Sequence, residues 1–229
     1  MQLFFDFDGT LVDSAPGIYA SFQSTCTRLN LQAPPFDIFR NSIGPPVQLL
    51  ARRFFPDLKE PELEEFRLSF RNDYDNNRFR QCSWYDGAKS TIETLAAAPK
   101  ARLSIVTNKP THPTLELLTS CGLLGCFELV IGIDYQLWNG SGPAFTSKTE
   151  ALNLAYSHME PKSSPSFYIG DTPSDREASQ ACGLRFVAAT YGFHRWNHRE
   201  LSTTSYISAI TELIPLLRNA TGSGAVYTS

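Results

Sequence analysis

The chain has 229 residues, 42% of them hydrophobic, with 23 acidic and 20 basic side chains and a formal charge of −3. This length and apolar content suit one sizeable domain or a core domain carrying a smaller one, and the near-balanced charge excludes a general attraction to nucleic acid or anionic membrane. No apolar run approaches the roughly 18 residues needed to cross a bilayer, and Met1-Gln2-Leu3-Phe4-Phe5 lacks the basic start and long apolar stretch of a signal peptide, so a cytoplasmic protein is expected.

In chain order, the apolar run Gln2 to Phe5 predicts a first strand, which ends in Asp6-Phe7-Asp8-Gly9-Thr10. From Ser14 to about Gln81 only helical patterns follow: Pro16 to Leu29, Pro46 to Phe55, and Glu60 to Asn76 with Leu63, Phe66 and Phe70 at helical spacing. Asp13 and Ser14 are placed to N-cap the first of these. Arg28, Arg40, Arg52 and Arg53 carry a fork that fits a substrate carboxylate or second phosphate, although most such arginines are simply solvated.

Strands and helices then alternate. Predicted helices cover Asp86 to Ala97, Thr111 to Ser120, Ser147 to His158 and Ser174 to Ala181, the last stopped by Cys182-Gly183; predicted strands cover Leu103 to Val106, Glu128 to Ile131, Ser166 to Ile169 and Arg185 to Ala188. A last helix is expected from Ile207 to Arg218, with a frayed tail from Thr221 onward. The expected fold class is therefore α/β, a doubly wound parallel sheet with a Rossmann-like core at 1–13 and 82–229 and an inserted helical cap domain at 14–81. The five cysteines are scattered and without a C-x-x-C, so they read as reduced, mostly buried thiols rather than a disulfide framework or zinc site. The four histidines have no metal-ligand spacing, and His112 is expected at a helix surface.

The chemistry gathers at strand ends, where open α/β sheets place their sites. Asp6 and Asp8 leave the first strand two residues apart, a pair able to divide labour between nucleophile or metal ligand and proton donor. Asp171 ends the fourth major strand and Asp175 falls in the next helix's first turn, so all four acids are candidates to converge on Mg²⁺, a hard cation that favours oxygen ligands. Asp175 has a second reading as a first-turn acid favoured by the helix macrodipole. Thr107 and Asn108, after the second major strand, are placed either to hydrogen-bond a phosphoryl oxygen or to cap the helix near Thr111. Lys148 ranks ahead of Lys109 and Lys162 as the ammonium that neutralises Asp6 and a transferring group. Tyr191-Gly192-Phe193 is either a turn bordering the site or a packing element.

Together, D-x-D-G-T, Thr107-Asn108-Lys109, the downstream Lys148 and Gly170-Asp171-Thr172-x-x-Asp175 resemble the haloacid dehalogenase-like phosphatases, in order and spacing along nearly the whole chain. The resemblance implies Asp6 as nucleophile, Asp8 as general acid and then base, Thr107 and Lys148 as phosphate stabilisers, and Mg²⁺ held by Asp6, Asp171, Asp175 and the backbone carbonyl of Asp8. The helical insertion looks like the cap of phosphoglycolate phosphatase-like members, and Ser42-Ile43-Gly44-Pro45-Pro46 is similar to their cap loop, which makes Gly44, with Gly9 and Asn108, a substrate-binding candidate. The stretch from Gly132 to Pro143 departs from the more basic segment of many relatives.

The resemblance implies a phosphatase for a small phosphorylated metabolite such as phosphoglycolate, working as a monomer or homodimer without nucleic acid or membrane. A 5′-nucleotidase specificity and a sugar phosphomutase use the same core. A true dehalogenase has little use for Asp8 or Mg²⁺, and a non-enzymatic binding protein predicts degraded motifs, which are not found.

Overall fold

The computed structural model describes residues 1–76, 78–159 and 165–221, and the chain divides into two compact units, Met1–Val12 with Trp84–Ser229, and Asp13–Ser83. The first unit opens with β1 (Gln2–Phe5) and connects through β2 (Val12–Asp13) to the second, built from α1 (Ala15–Arg28), α2 (Phe36–Arg40), α3 (Val47–Phe54) and α4 (Glu60–Asn76). The chain returns through β3 (Ser83–Trp84) to α5 (Ala88–Ala97), β4 (Arg102–Val106), α6 (Thr111–Ser120), β5 (Leu129–Ile131), α7 (Tyr135–Trp138) and α8 (Lys148–Ser157). It closes with β6 (Ser166–Gly170), α9 (Pro173–Ala181), β7 (Arg185–Ala189), α10 (His198–Leu201), β8 (Ser205–Ile207) and α11 (Leu213–Thr221).

Six strands pair in parallel in the order β5-β4-β1-β6-β7-β8. Counted along the chain within this sheet, that is the doubly wound order 3-2-1-4-5-6. The sheet grows to one side of β1 through β4 and β5, then restarts on the other side with β6. The carboxyl ends of β1 and β6 therefore flank the switch point, where such sheets open a crevice. Phe5 sits in register with both Ile105 and Ile169, so all three strands leave the sheet at one level.

Why the strands run apolar without alternation follows from this layering, since both faces are covered. Phe4, Val106, Ile131 and Tyr168 pack on Ala151, Leu152 and Ala155 of α8 and Ala178 of α9. Leu3 and Phe5 face the other way and are equally buried, Phe5 meeting Phe127 edge to face with ring centroids 6.4 Å apart. The second unit has an aromatic interior: the Phe22 ring lies 4.7 Å from Phe39, 5.0 Å from Phe66 and 5.9 Å from Phe54.

Four expectations need correction. Ile207 ends a strand instead of starting a helix, because Ser205–Ile207 pairs with Val187–Ala189 at the sheet edge, and α11 begins only at Leu213. A five-residue helix, α2, forms directly after Pro35, too short to show a period in the sequence. Asp13 alone caps α1, its Oδ1 accepting from Ala15 N at 3.1 Å, while the buried Ser14 hydroxyl has no partner. Only Cys26 is buried, its thiol pushed up to about 12 by desolvation; Cys82, Cys121, Cys126 and Cys182 are half-exposed, two of them at helix C-caps. The tail beyond Thr221 lies outside the described residues. No helix among the described residues is long and apolar enough to cross a membrane.

Candidate active site

At the end of β1 the backbone folds into a compact turn in which the Phe7 carbonyl accepts from Leu11 N at 2.9 Å and Val12 N at 3.1 Å. Gly9 makes the turn possible twice over: its φ of +80° suits glycine, and a Cβ there would collide with the Asp171 carboxylate. Asp6, still held to the sheet by its N–H on the Ile169 carbonyl, accepts from Phe7 N on Oδ1 at 2.8 Å.

Asp171 directly follows β6, and after it comes a capping box in which Asp175 is the third helical residue of α9. Asp175 Oδ2 accepts from Thr172 N at 2.9 Å and from the Thr172 hydroxyl at 2.7 Å, which leaves Oδ1 for another donor. Helix capping and a place in the site are thus served by different oxygens of one carboxylate.

The donor is Lys148. Set in the first turn of α8 by the Ser147 N-cap, its Nζ lies 2.7 Å from Asp6 Oδ2 and 2.5 Å from Asp175 Oδ1. Asp6 and Asp175 therefore share one buried ammonium, with the buried Asp171 carboxylate close to both. Desolvation pushes Asp6 up to about 6, and Asp175 adds to it, while Lys148 and a hydrogen bond from Thr107 restrain the rise. Burial, then Asp175 and Asp6, push Asp171 well above the carboxylate range. For Lys148 burial alone would favour the neutral amine, but Asp175 and Asp6 outweigh it and hold the ammonium firmly protonated.

The cluster fits a divalent cation. One oxygen from each of Asp6, Asp171 and Asp175 lies within 4.8 Å of the others. Asp171 Oδ2 accepts from Phe193 N at 2.7 Å, but its buried Oδ1 has no hydrogen-bond partner, a costly arrangement that a cation would relieve. Hard carboxylate oxygens match Mg²⁺.

Thr107 lies beside Asp6; its hydroxyl accepts from Lys109 N at 3.2 Å and donates to the Asp6 carboxylate. Asp134 Oδ1 caps α6, accepting from Thr111 N at 2.7 Å and from its hydroxyl at 2.8 Å. Asn108 stays half-buried at the end of β4. Of the four acids expected to converge, the carboxylates of Asp6, Asp171 and Asp175 gather together, while that of Asp8 stands outside this group. The Asp8 carboxylate instead pairs with Lys109, a residue ranked in the sequence only as a rival to Lys148, whose place directly after Thr107-Asn108 at a strand exit was the available signal.

The Tyr191-Gly192-Phe193 turn does border the cluster, through Phe193 N on Asp171 and the Tyr191 hydroxyl on the Thr10 carbonyl at 2.8 Å. Gly44 belongs to the second unit, between α2 and α3, with φ of +137°. In that unit Arg40 pairs with Asp13 and Arg52 with Glu60, while Arg28 and Arg53 are exposed. His112 is exposed, and His194 pairs with Glu200. Lys162 lies outside the described residues.

Against known proteins, the sequence model of the haloacid dehalogenase-like hydrolases matches residues 3–189. The chain is 30% identical over 225 residues to the phosphoglycolate phosphatase of Nitrosococcus oceani, covering 96% of this chain and 97% of that one. It is 28% identical over 218 residues to the tyrosine-protein kinase PtkA of Mycobacterium tuberculosis, covering 95% of this chain and 71% of the relative. A solved haloacid dehalogenase-like hydrolase from Streptococcus pneumoniae shares the fold at TM-score 0.80 and 24% identity, over 94% of this chain and 97% of that one. With the family's sequence pattern running from β1 to β7 and a full-length relative at this identity, the chain belongs to the haloacid dehalogenase-like hydrolases and is an enzyme of their phosphatase branch.

Proposed function

We propose that this chain hydrolyses a small phosphomonoester of the phosphoglycolate kind, with Mg²⁺, by way of an aspartyl phosphate on Asp6. The observation that carries the reading is the buried ammonium of Lys148 bridging Asp6 and Asp175, next to the unpartnered oxygen of Asp171. Such a site is short of positive charge until a cation binds, and the cation in turn suits an anionic phosphate. Asp6, Asp171, Asp175 and the Asp8 carbonyl would hold Mg²⁺, which supplies positive charge against the phosphoryl oxygens.

The chain's own residues do the rest. Asp6 forms a bond to phosphorus as the bond to the leaving oxygen breaks, and Asp8 gives that oxygen a proton. Lys148 and the Thr107 hydroxyl stabilise charge on the phosphoryl oxygens, with Asn108 and Gly9 lining the phosphate's place. A water that loses its proton to Asp8 then attacks the phosphorus, releasing inorganic phosphate and restoring Asp6. Selection of the leaving group is assigned to the helical insertion 14–81 with its Gly44 loop, a reading supported by the resemblance of that segment to phosphoglycolate phosphatase caps. A cytoplasmic location belongs to the same reading.

Purified protein is incubated with phosphoglycolate, nucleoside monophosphates and sugar phosphates, with Mg²⁺ or EDTA, beside Asp6→Asn. Mg²⁺-dependent phosphate release is expected, best on phosphoglycolate, and lower by several orders of magnitude in the variant, as removal of a covalent nucleophile entails. Best turnover of a nucleoside monophosphate makes the enzyme a nucleotidase, and an isomeric sugar phosphate in place of free phosphate makes it a mutase. Equal release from Asp6→Asn would falsify the covalent mechanism.

A further inference from the structure

Asp8 stands apart from the other acids and has a buried cation of its own. Lys109 Nζ lies 3.2 Å from Oδ1 and 3.3 Å from Oδ2, and the Lys109 side chain is 1% exposed against 18% for Asp8. A lysine head is strongly hydrated and flexible, so burying it beside one carboxylate needs a backbone that delivers it there. That backbone is fixed: Lys109 N donates to the Thr107 hydroxyl, and Ile133 N donates to the Lys109 carbonyl at 3.3 Å. Gly132 lets the turn close, since a Cβ there would come within 2.6 Å of the Lys109 carbonyl.

We propose that Lys109 is a positioning residue that holds the Asp8 carboxylate by both oxygens, keeping it out of the Asp6–Asp171–Asp175 cluster and available for proton transfer. The inference rests on the reading of Asp8 as acid and base. A carboxylate two residues from Asp6, beside a cation site, is drawn to become one more ligand unless another charge holds it. The two buried lysines thus have separate duties, Lys148 with the cluster and Lys109 with the proton carrier.

The test compares kcat/KM for wild type, Lys109→Met, Lys109→Arg, Asp8→Asn and the Asp8→Asn/Lys109→Met double variant, each checked for folding by circular dichroism. An alkyl phosphate, whose leaving group needs a proton, is set beside para-nitrophenyl phosphate, whose leaving group does not. Lys109→Met is expected to lose roughly ten- to a hundredfold on the alkyl ester and under about threefold on the aryl ester, a share of what a positioned proton donor supplies. Lys109→Arg recovers most of the loss, and in the Asp8→Asn background Lys109→Met costs nothing further. Equal losses on both esters, an additive loss in the double variant, or no loss at all overturns the proposal.

A crystal structure of Lys109→Met separates this inference from the phosphatase reading. Asp8 is expected to leave its wild-type position; an unmoved Asp8 in the folded variant overturns the positioning role even if wild type turns over no phosphomonoester, an outcome that by itself would sink only the phosphatase reading.

Discussion

The two units of this chain bury opposite things. At the carboxyl edge of the sheet, the carboxylates of Asp6, Asp171 and Asp175 and the ammonium groups of Lys148 and Lys109 are removed from water, and Asp6 and Asp171 are pushed upward by desolvation and by neighbouring acids. The helical unit buries rings, with Phe22 at the centre of Phe39, Phe54 and Phe66. Ring burial stabilises by removing apolar surface from water and adds favourable edge and offset contacts. Burial of unbalanced charge works against folding, and a buried ion pair is weak evidence of stability. The difference teaches that the sheet edge keeps its arrangement for what it binds, at a cost that the apolar layers on either side must offset.

The comparison predicts that the same depth of burial responds differently to truncation. Lys148→Met leaves Asp6 and Asp175 without their counter-charge; a fall in unfolding free energy of about 3–5 kcal/mol is expected at neutral pH, as when one partner of a buried pair is removed. Its kcat/KM should fall roughly a hundred- to a thousandfold, the scale of losing one preorganised charge stabiliser. Urea unfolding and steady-state kinetics read both, and a variant as stable as wild type would mean that the cluster carries no charge stress.

In the helical unit, Phe22→Ala should cost about 3 kcal/mol through lost ring contacts and a cavity. Its loss should not depend on pH between 5 and 8, because the Phe39, Phe54 and Phe66 rings around it carry no titratable group. A loss that changes across this range in urea titrations would contradict the contrast drawn between the units.

The smallest expected effect joins metal and pH. Asp6 sits at about 6 in the folded protein against 3.8 as its ordinary value, and Asp171 is raised as well. The folded state therefore binds these protons more tightly than the unfolded chain, so the Asp6 contribution is present below about pH 4 and is lost as pH rises through about 6, and that of Asp171 has the same sign. EDTA-treated protein should lose roughly a few degrees of melting temperature between pH 5 and 7.5, relative to Asp171→Asn. Mg²⁺ should restore more at pH 7.5 than at pH 5, where protons compete for the same oxygens. Differential scanning fluorimetry decides it: a metal-free midpoint that climbs with pH, or Mg²⁺ stabilisation undiminished in Asp171→Asn, would be the contrary result.

Much of this was legible in the chain because strands covered on both faces need continuous apolar runs, and such runs end abruptly where acids begin. Gln2 to Phe5 before Asp6, and Ser166 to Ile169 before Gly170 and Asp171, are local signals of that kind. The edge strand Ser205–Ile207 was illegible because half its definition is its neighbour, β7. So was the cap of α6, where Asp134 reaches back 23 positions to Thr111.

By itself the sequence determined the alternation of elements, and with it the sheet edge at which Asp6, Thr107 and Asp171 emerge, because hydrophobic period and chain breaks are local properties. The sequence placed Lys148 beside Asp6, and the structure has that pair across 142 positions; tertiary structure alone decided the other partners, that Lys148 also takes Asp175 across 27 positions and that Lys109 takes Asp8 across 101. Those choices depend on directions and depths of side chains that a few degrees of backbone turn at Gly9 can redirect, and no spacing along the chain records them.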